Sequence, residues 1–138
     1  MRTGKMALSA GLIMTIAWAS WACKDEVSGP DLSGIVFPDS GVSYSKHVQP
    51  LFIRGCGGQE SLCHGPDTFE GRLFALDSYL HATTKLGIIA RTDPDHSLLI
   101  NTIEGTSQPK MPPPDKPQLN ANQIKGLRRW VKEGAQDN

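Results

Sequence analysis

The chain lacks most of what would announce a familiar activity. Charge of one sign is missing: 14 Lys and Arg stand against 14 Asp and Glu, so the formal charge is zero. Setting aside Arg2 and Lys5 at the start leaves 12 bases against 14 acids, about −2. That is no nucleic-acid footprint, which needs a concentrated basic surface. An alternating apolar and polar pattern long enough for a sheet is missing as well, and no internal repeat is present. An all-α domain is therefore expected. No clustered acid and base constellation points to catalysis, and the chain reads as a carrier rather than an enzyme.

Long apolar runs are also scarce. Ala7 to Ala22 is a stretch of 16 apolar or small residues without charge, short for a membrane-spanning helix. Behind the basic Arg2 and Lys5 it suits a signal-peptide core. It closes on Ser20-Trp21-Ala22-Cys23, which resembles a bacterial lipobox, with Ser20 and Trp21 as departures from that pattern. Residues 1–23 are thus expected to be a lipoprotein-type signal peptide with Cys23 lipidated. The chain would be exported and anchored in a membrane, facing the periplasm or the cell exterior. Residues 24–42 hold Pro30, Pro38 and several Gly, Ser and acids, and read as a flexible tether. Residues 43–138 are then long enough for one small domain.

Within that domain the helix signals are local. Ser43 or Ser45 caps a helix to about Arg54, with Val48, Leu51 and Phe52 on one face and Pro50 expected in the first turn. Asp77 or Ser78 caps a short helix that Gly87 ends. Asp93 and Pro94 start a third helix, with Leu98, Leu99, Thr102 and Ile103 as its apolar face and Gly105 as its stop. Five prolines between Pro109 and Pro117 exclude regular structure there. Asn120 and Gln123 resemble a capping box for the last helix. On that helix Ile124, Leu127, Trp130 and Val131 share one side, while Lys125, Arg128, Arg129 and Lys132 form a basic stripe on another.

Three cysteines are present, an odd number for an exported chain. The arithmetic resolves if Cys23 carries lipid and Cys56 and Cys63 act as a pair. His64 follows Cys63 directly. A short C-x-x-C-H run marks covalent c-type haem. Here six residues separate the two cysteines, Gly57 and Gly58 among them. Lengthening that spacer from two to six residues costs only about 1 kcal/mol of closure entropy. On this reading the two thiols bond one haem and His64 supplies the proximal iron ligand. Met111 is the leading distal ligand. It is the sole methionine beyond the leader, and Lys110 and three prolines flank it. His/Met ligation favours ferrous iron. His47, His81 and His96 compete for the same position. A Cys56–Cys63 disulfide in a haem-free binding or structural lipoprotein is the alternative for the pair. A metal site is a third, although zinc wants four ligands and only Cys56, Cys63 and His64 cluster.

From Tyr44 to Ala135 the order of blocks resembles the small bacterial c-type cytochrome domain of planctomycete-type secreted proteins. The blocks are Ser45 to Phe52, Cys63-His64-Gly65-Pro66-Asp67, Asp93 to Leu99, Met111-Pro112-Pro113 and Ile124 to Ala135. The resemblance implies a cytochrome c-like fold in which the first and last helices cross beside a haem. Val48, Leu51 and Phe52 should then meet Leu127, Trp130 and Val131. It implies a monohaem, one-electron carrier with haem c bound through Cys56, Cys63, His64 and Met111. Its partners would be periplasmic or membrane redox proteins. The basic stripe reads first as a solvated helix face and second as a surface that docks an acidic partner. The wide cysteine spacer departs from the relatives. A haem sensor or peroxidase-like protein with a labile distal ligand is the remaining alternative.

Overall fold

The computed structural model describes residues 29–57, 63–65 and 74–138. Among these the regular structure is helical, with no strand, as the absence of alternation predicts. The leader and Cys23 lie outside the described residues. The first helix, α1, runs through three successive segments: π-helical Tyr44–Val48, α-helical Gln49–Leu51 and π-helical Phe52–Gly57. It is followed by α2 (Tyr79–Thr84), a 3-10 turn (Pro94–His96), α3 (Leu98–Glu104) and α4 (Ala121–Lys132).

The caps are those that local spacing predicts. Ser43 accepts from the Lys46 N–H at 3.3 Å, Ser78 from the His81 N–H at 3.3 Å, and Asp93 from the His96 N–H at 3.3 Å. Asn120 and Gln123 close a reciprocal capping box, each side chain accepting the other's N–H at 3.0 Å. Gly105 ends α3 at φ 79°.

Two expectations for these helices change. Pro50 sits inside α1 rather than in its first turn. Proline lacks the N–H for a helical bond and crowds the carbonyl four residues back. The i→i+5 turns on either side widen the backbone around it, with Val48 bonded to the Ser43 carbonyl and Gln49 to that of Tyr44. The helix expected from Pro94 is instead a single 3-10 turn, after which Ser97 breaks the run and α3 begins. The buried Ser97 hydroxyl explains the break. It accepts from the Ala90 N–H at 2.8 Å and lies 3.0 Å from the Asp93 carbonyl, holding the preceding loop.

Val48, Leu51, Phe52, Leu127, Trp130 and Val131 all lie in one buried core. Trp130 is its centre and is fully covered. The Phe52 ring meets it edge-on at 6.2 Å, the Tyr44 ring at 5.7 Å, and its indole N–H donates to the Gln136 carbonyl at 3.0 Å. Edge-to-face pairs of this kind add about 0.5–1.5 kcal/mol beyond area burial.

The expected tether is corrected for residues 29–42, which form a strap laid along α4. Leu32, Ile35, Phe37 and Val42 are buried in the main core. Four side chains of α4 and its end hold the strap's backbone. Asn122 accepts the Phe37 N–H at 2.8 Å and donates to the Phe37 carbonyl at 3.0 Å. Gln123 donates to the Leu32 and Ile35 carbonyls at 2.7 and 3.2 Å. Arg129 donates to the Pro38 carbonyl at 3.1 Å. Glu133 accepts the Gly41 and Val42 N–H groups at 2.9 and 2.8 Å. An apolar segment with its backbone satisfied by partners on one helix is a packed layer, not a spacer.

Gly126 makes room for that layer. A Cβ placed there would sit 2.1 Å from Cγ of Phe37. We expect Gly126→Ala to destabilise the fold by about 1–3 kcal/mol despite alanine's better helix propensity, because Phe37 must leave its seat. Combining it with Phe37→Ala should cost less than the sum of the two single changes. The midpoints of urea unfolding for the four proteins check this.

Candidate functional site

Cys56 lies in the last turn of α1, half-buried and packed against the core. His64 follows it by eight positions. Yet the His64 N–H donates to the Cys56 carbonyl at 2.9 Å. In a C-x-x-C-H segment wound as helix, the histidine stands four positions after the first cysteine, and an i→i+4 bond would join the same two groups. Cys63 and His64 therefore return to Cys56 as they would after a spacer of two. Residues 58–62 lie outside the described residues.

The return is tight because of glycine. A Cβ on Gly57 would lie 2.8 Å from the His64 carbonyl oxygen, 3.2 Å from the Leu76 carbonyl carbon and 3.4 Å from the Asp77 nitrogen. Only a residue without a side chain lets three backbone strands approach so closely. The His64 carbonyl then accepts the Leu76 N–H at 2.7 Å, which brings in the segment before α2.

That segment orients the imidazole. The His64 Nδ1 lies 3.1 Å from the Phe74 carbonyl oxygen, and the two rings stack at 4.6 Å with 19° between their planes. A carbonyl only accepts, so Nδ1 carries the proton and Nε2 carries the lone pair. This is the arrangement that a metal-ligating histidine uses, with a backbone carbonyl fixing the tautomer. Phe74 was not singled out by its sequence, where it is one residue of a short apolar stretch. Its role comes from a carbonyl, which no side-chain pattern reports.

Burial pushes the Cys56 thiol up to about 12, with a smaller contribution from Cys63. Cys56 is accordingly a neutral thiol at physiological pH.

Met111 lies on another loop, half-buried against the same core cluster that Cys56 touches. Its N–H donates to the Thr102 carbonyl at 3.0 Å, so α3 carries it. The proline loop around it is folded by one side chain. The Gln118 amide nitrogen donates to the carbonyls of Pro113 and Lys116 at 2.8 Å each and to that of Pro112 at 3.4 Å. The structure thus gathers Cys56, Cys63 and His64 in one lacework and sets Met111 apart from them on the core's edge.

The competing histidines each have a local partner. His47 accepts the Ser43 N–H on Nδ1 at 3.0 Å. His81 and His96 lie 2.7 Å from Asp77 and Asp93, at the starts of α2 and the 3-10 turn. Among the described residues no group of three or more His, Cys, Asp or Glu side chains is placed to hold a metal ion by itself. The basic stripe divides. Arg128 pairs with Glu104 and Asp95, and Arg129 with Asp39, whereas Lys125 and Lys132 remain exposed.

Residues 61–115 match the Planctomycete cytochrome C family. The match spans less than half of the chain and supports a cytochrome c-like domain. It takes in Cys63, His64 and Met111 but neither Cys56 nor α4. No curated protein and no solved structure matches the chain.

The raised Cys56 thiol gives a direct expectation for the haem-free, reduced chain. At pH 8 Cys56 should react with iodoacetamide much more slowly in the folded chain than in denaturant; peptide mass mapping reads the rate. The sign for stability follows. With the folded pKa above the unfolded one, the unfolded chain holds fewer protons above about pH 9. Stability should therefore fall between about pH 9 and 12, and Cys56→Ala should flatten that fall.

Proposed function

We propose that the protein is a monohaem c-type cytochrome, a one-electron carrier rather than a catalyst. The carrying observation is the His64 imidazole, oriented by the Phe74 carbonyl and joined through its own backbone N–H to the Cys56 carbonyl. The donor set fits a haem: one imidazole with its lone pair on Nε2, one thioether in Met111 and two cysteine sulfurs. When bound, the haem would supply one-electron exchange between ferric and ferrous iron. The chain's own residues do the rest. Cys56 and Cys63 would hold the group permanently, and His64 and Met111 would ligate its iron, Met111 tilting the balance towards the ferrous form. The buried core would keep water from the iron, so that little reorganisation accompanies each electron.

On this reading Cys23 is lipidated and the domain is exported, anchored to a membrane and served by periplasmic or membrane redox proteins. Lys125 and Lys132 are the free charges of the docking face, a smaller one than the full stripe, and would steer an acidic partner. The second reading is a haem-free lipoprotein closed by a Cys56–Cys63 disulfide. The backbone bond that joins the Cys63-His64 step to Cys56 favours it as the alternative.

Intact mass after export from a host competent in c-type haem attachment separates the two. We expect one haem retained after denaturation, together with a diacylglyceryl cysteine at Cys23. A mass two protons short of the reduced chain, with no haem, would overturn the proposal. For the distal ligand, Met111→Ala should remove the weak methionine-to-iron charge-transfer band of the oxidised protein and lower its reduction potential. An unchanged band would assign the sixth position elsewhere.

A further inference from the structure

The strap lies outside the family match, yet it reaches both halves of the site. At its start a Cβ on Gly29 would be 2.4 Å from Cγ of Pro117, so the strap runs directly against the proline loop. Three residues on, Leu32 is 6% exposed, and its Cδ1 lies 3.2 Å from where a Cβ on Gly55 would sit. Gly55 immediately precedes Cys56. Between these two contacts the Leu32 carbonyl is held by the buried Gln123 amide, whose oxygen caps the start of α4. On the loop side, Gln118 links residues next to Pro117 back to Pro112, and Met111 hangs from α3 by one backbone bond.

We propose that the strap positions the distal ligand: Gly29 and Leu32 brace the Met111 loop against the Cys56 end of α1. The proposal rests on the cytochrome reading for its meaning but not for its mechanics. A thioether is a weak ligand, and its hold on iron depends on how little freedom its loop has without it. The strap touches both the proline loop and α1 and is itself pinned to α4 at both ends, by Gln123 and Glu133. Leu32 is thus a positioning residue that acts through Gly55 and the loop.

The test compares Leu32→Ala with Leu32→Ile, which keeps the volume, and with Ala82→Gly, which weakens α2 away from the strap. In the haem-free chain, hydrogen exchange at the Met111 amide should quicken about tenfold in Leu32→Ala and stay near wild type in the other two. In the haem-loaded protein, Leu32→Ala should lose most of the charge-transfer band and show a lower potential, with haem still covalently attached. If Leu32→Ala is too unstable to isolate, Leu32→Val should show the same changes at smaller size. Wild-type exchange at Met111 in these variants would overturn the strap's role, whatever the haem content. Absence of haem from the wild type would overturn the cytochrome reading alone, and the exchange experiment would still decide the strap. Equal quickening in Ala82→Gly would reduce the effect to general stability and overturn the proposal.

Discussion

The site depends on one close approach of backbone to backbone. Gly57 lets the His64 carbonyl, Leu76 and Asp77 converge on the end of α1. Everything chemically useful follows from that convergence. The His64 N–H finds the Cys56 carbonyl, and the segment through Phe74 turns its carbonyl onto the imidazole. A spacer of any moderate length satisfies this constraint, since its ends are joined by a backbone bond and a glycine contact rather than by the spacer itself. The cost of the extra length is only loop entropy, which grows with the logarithm of the length.

The helices were legible in the sequence because their signals are local. Ser43, Ser78, Asp93 and Asn120 each cap within three residues of themselves, and such pairs are visible in the order of residues alone. The apolar faces of α1 and α4 were legible for the same reason, as periodic positions. Pro50 was misplaced because the π-turns that accommodate it have no simple sequence signature. The strap was misread because its partners lie far along the chain. Asn122 is 85 positions from Phe37, and Gln123 is 91 from Leu32. Prolines, glycines and serines in residues 29–42 look like a linker until those amides are seen holding it. Of the site, the side chains that carry chemistry could be named, while the carbonyls and the glycine contact that organise them could not.

The aromatic centre ties these regions together. Trp130 receives Phe52 and Tyr44, and Tyr44 meets Tyr79 edge-on at 5.1 Å, so α1, α2 and α4 share one contact region. Tyr79 adds a bond from its hydroxyl to the Ala135 carbonyl at 2.8 Å and lies beneath the Arg91 guanidinium. The Tyr44 hydroxyl, deep in this cluster, has no hydrogen-bond partner among the described residues, and burial pushes its pKa up to about 12. Arg128 braces the outside, bridging α4 to Glu104 at the end of α3 and to Asp95 in the 3-10 turn. The result is a frame in which α3, and with it the backbone of Met111, is held by both polar and apolar means.

The strap also changes the mechanics of the lipid anchor, if Cys23 is one. A free leash running from Cys23 to Ser43 would let the domain roam through a hemisphere some 60 Å or more in radius. With the packed body beginning at Gly29, the remaining stretch reaches about 20 Å at full extension. On the proposed reading the domain would then stay close to the membrane, sampling a thin layer instead of a broad volume. Electron exchange would be confined to partners whose own redox groups stand within that layer.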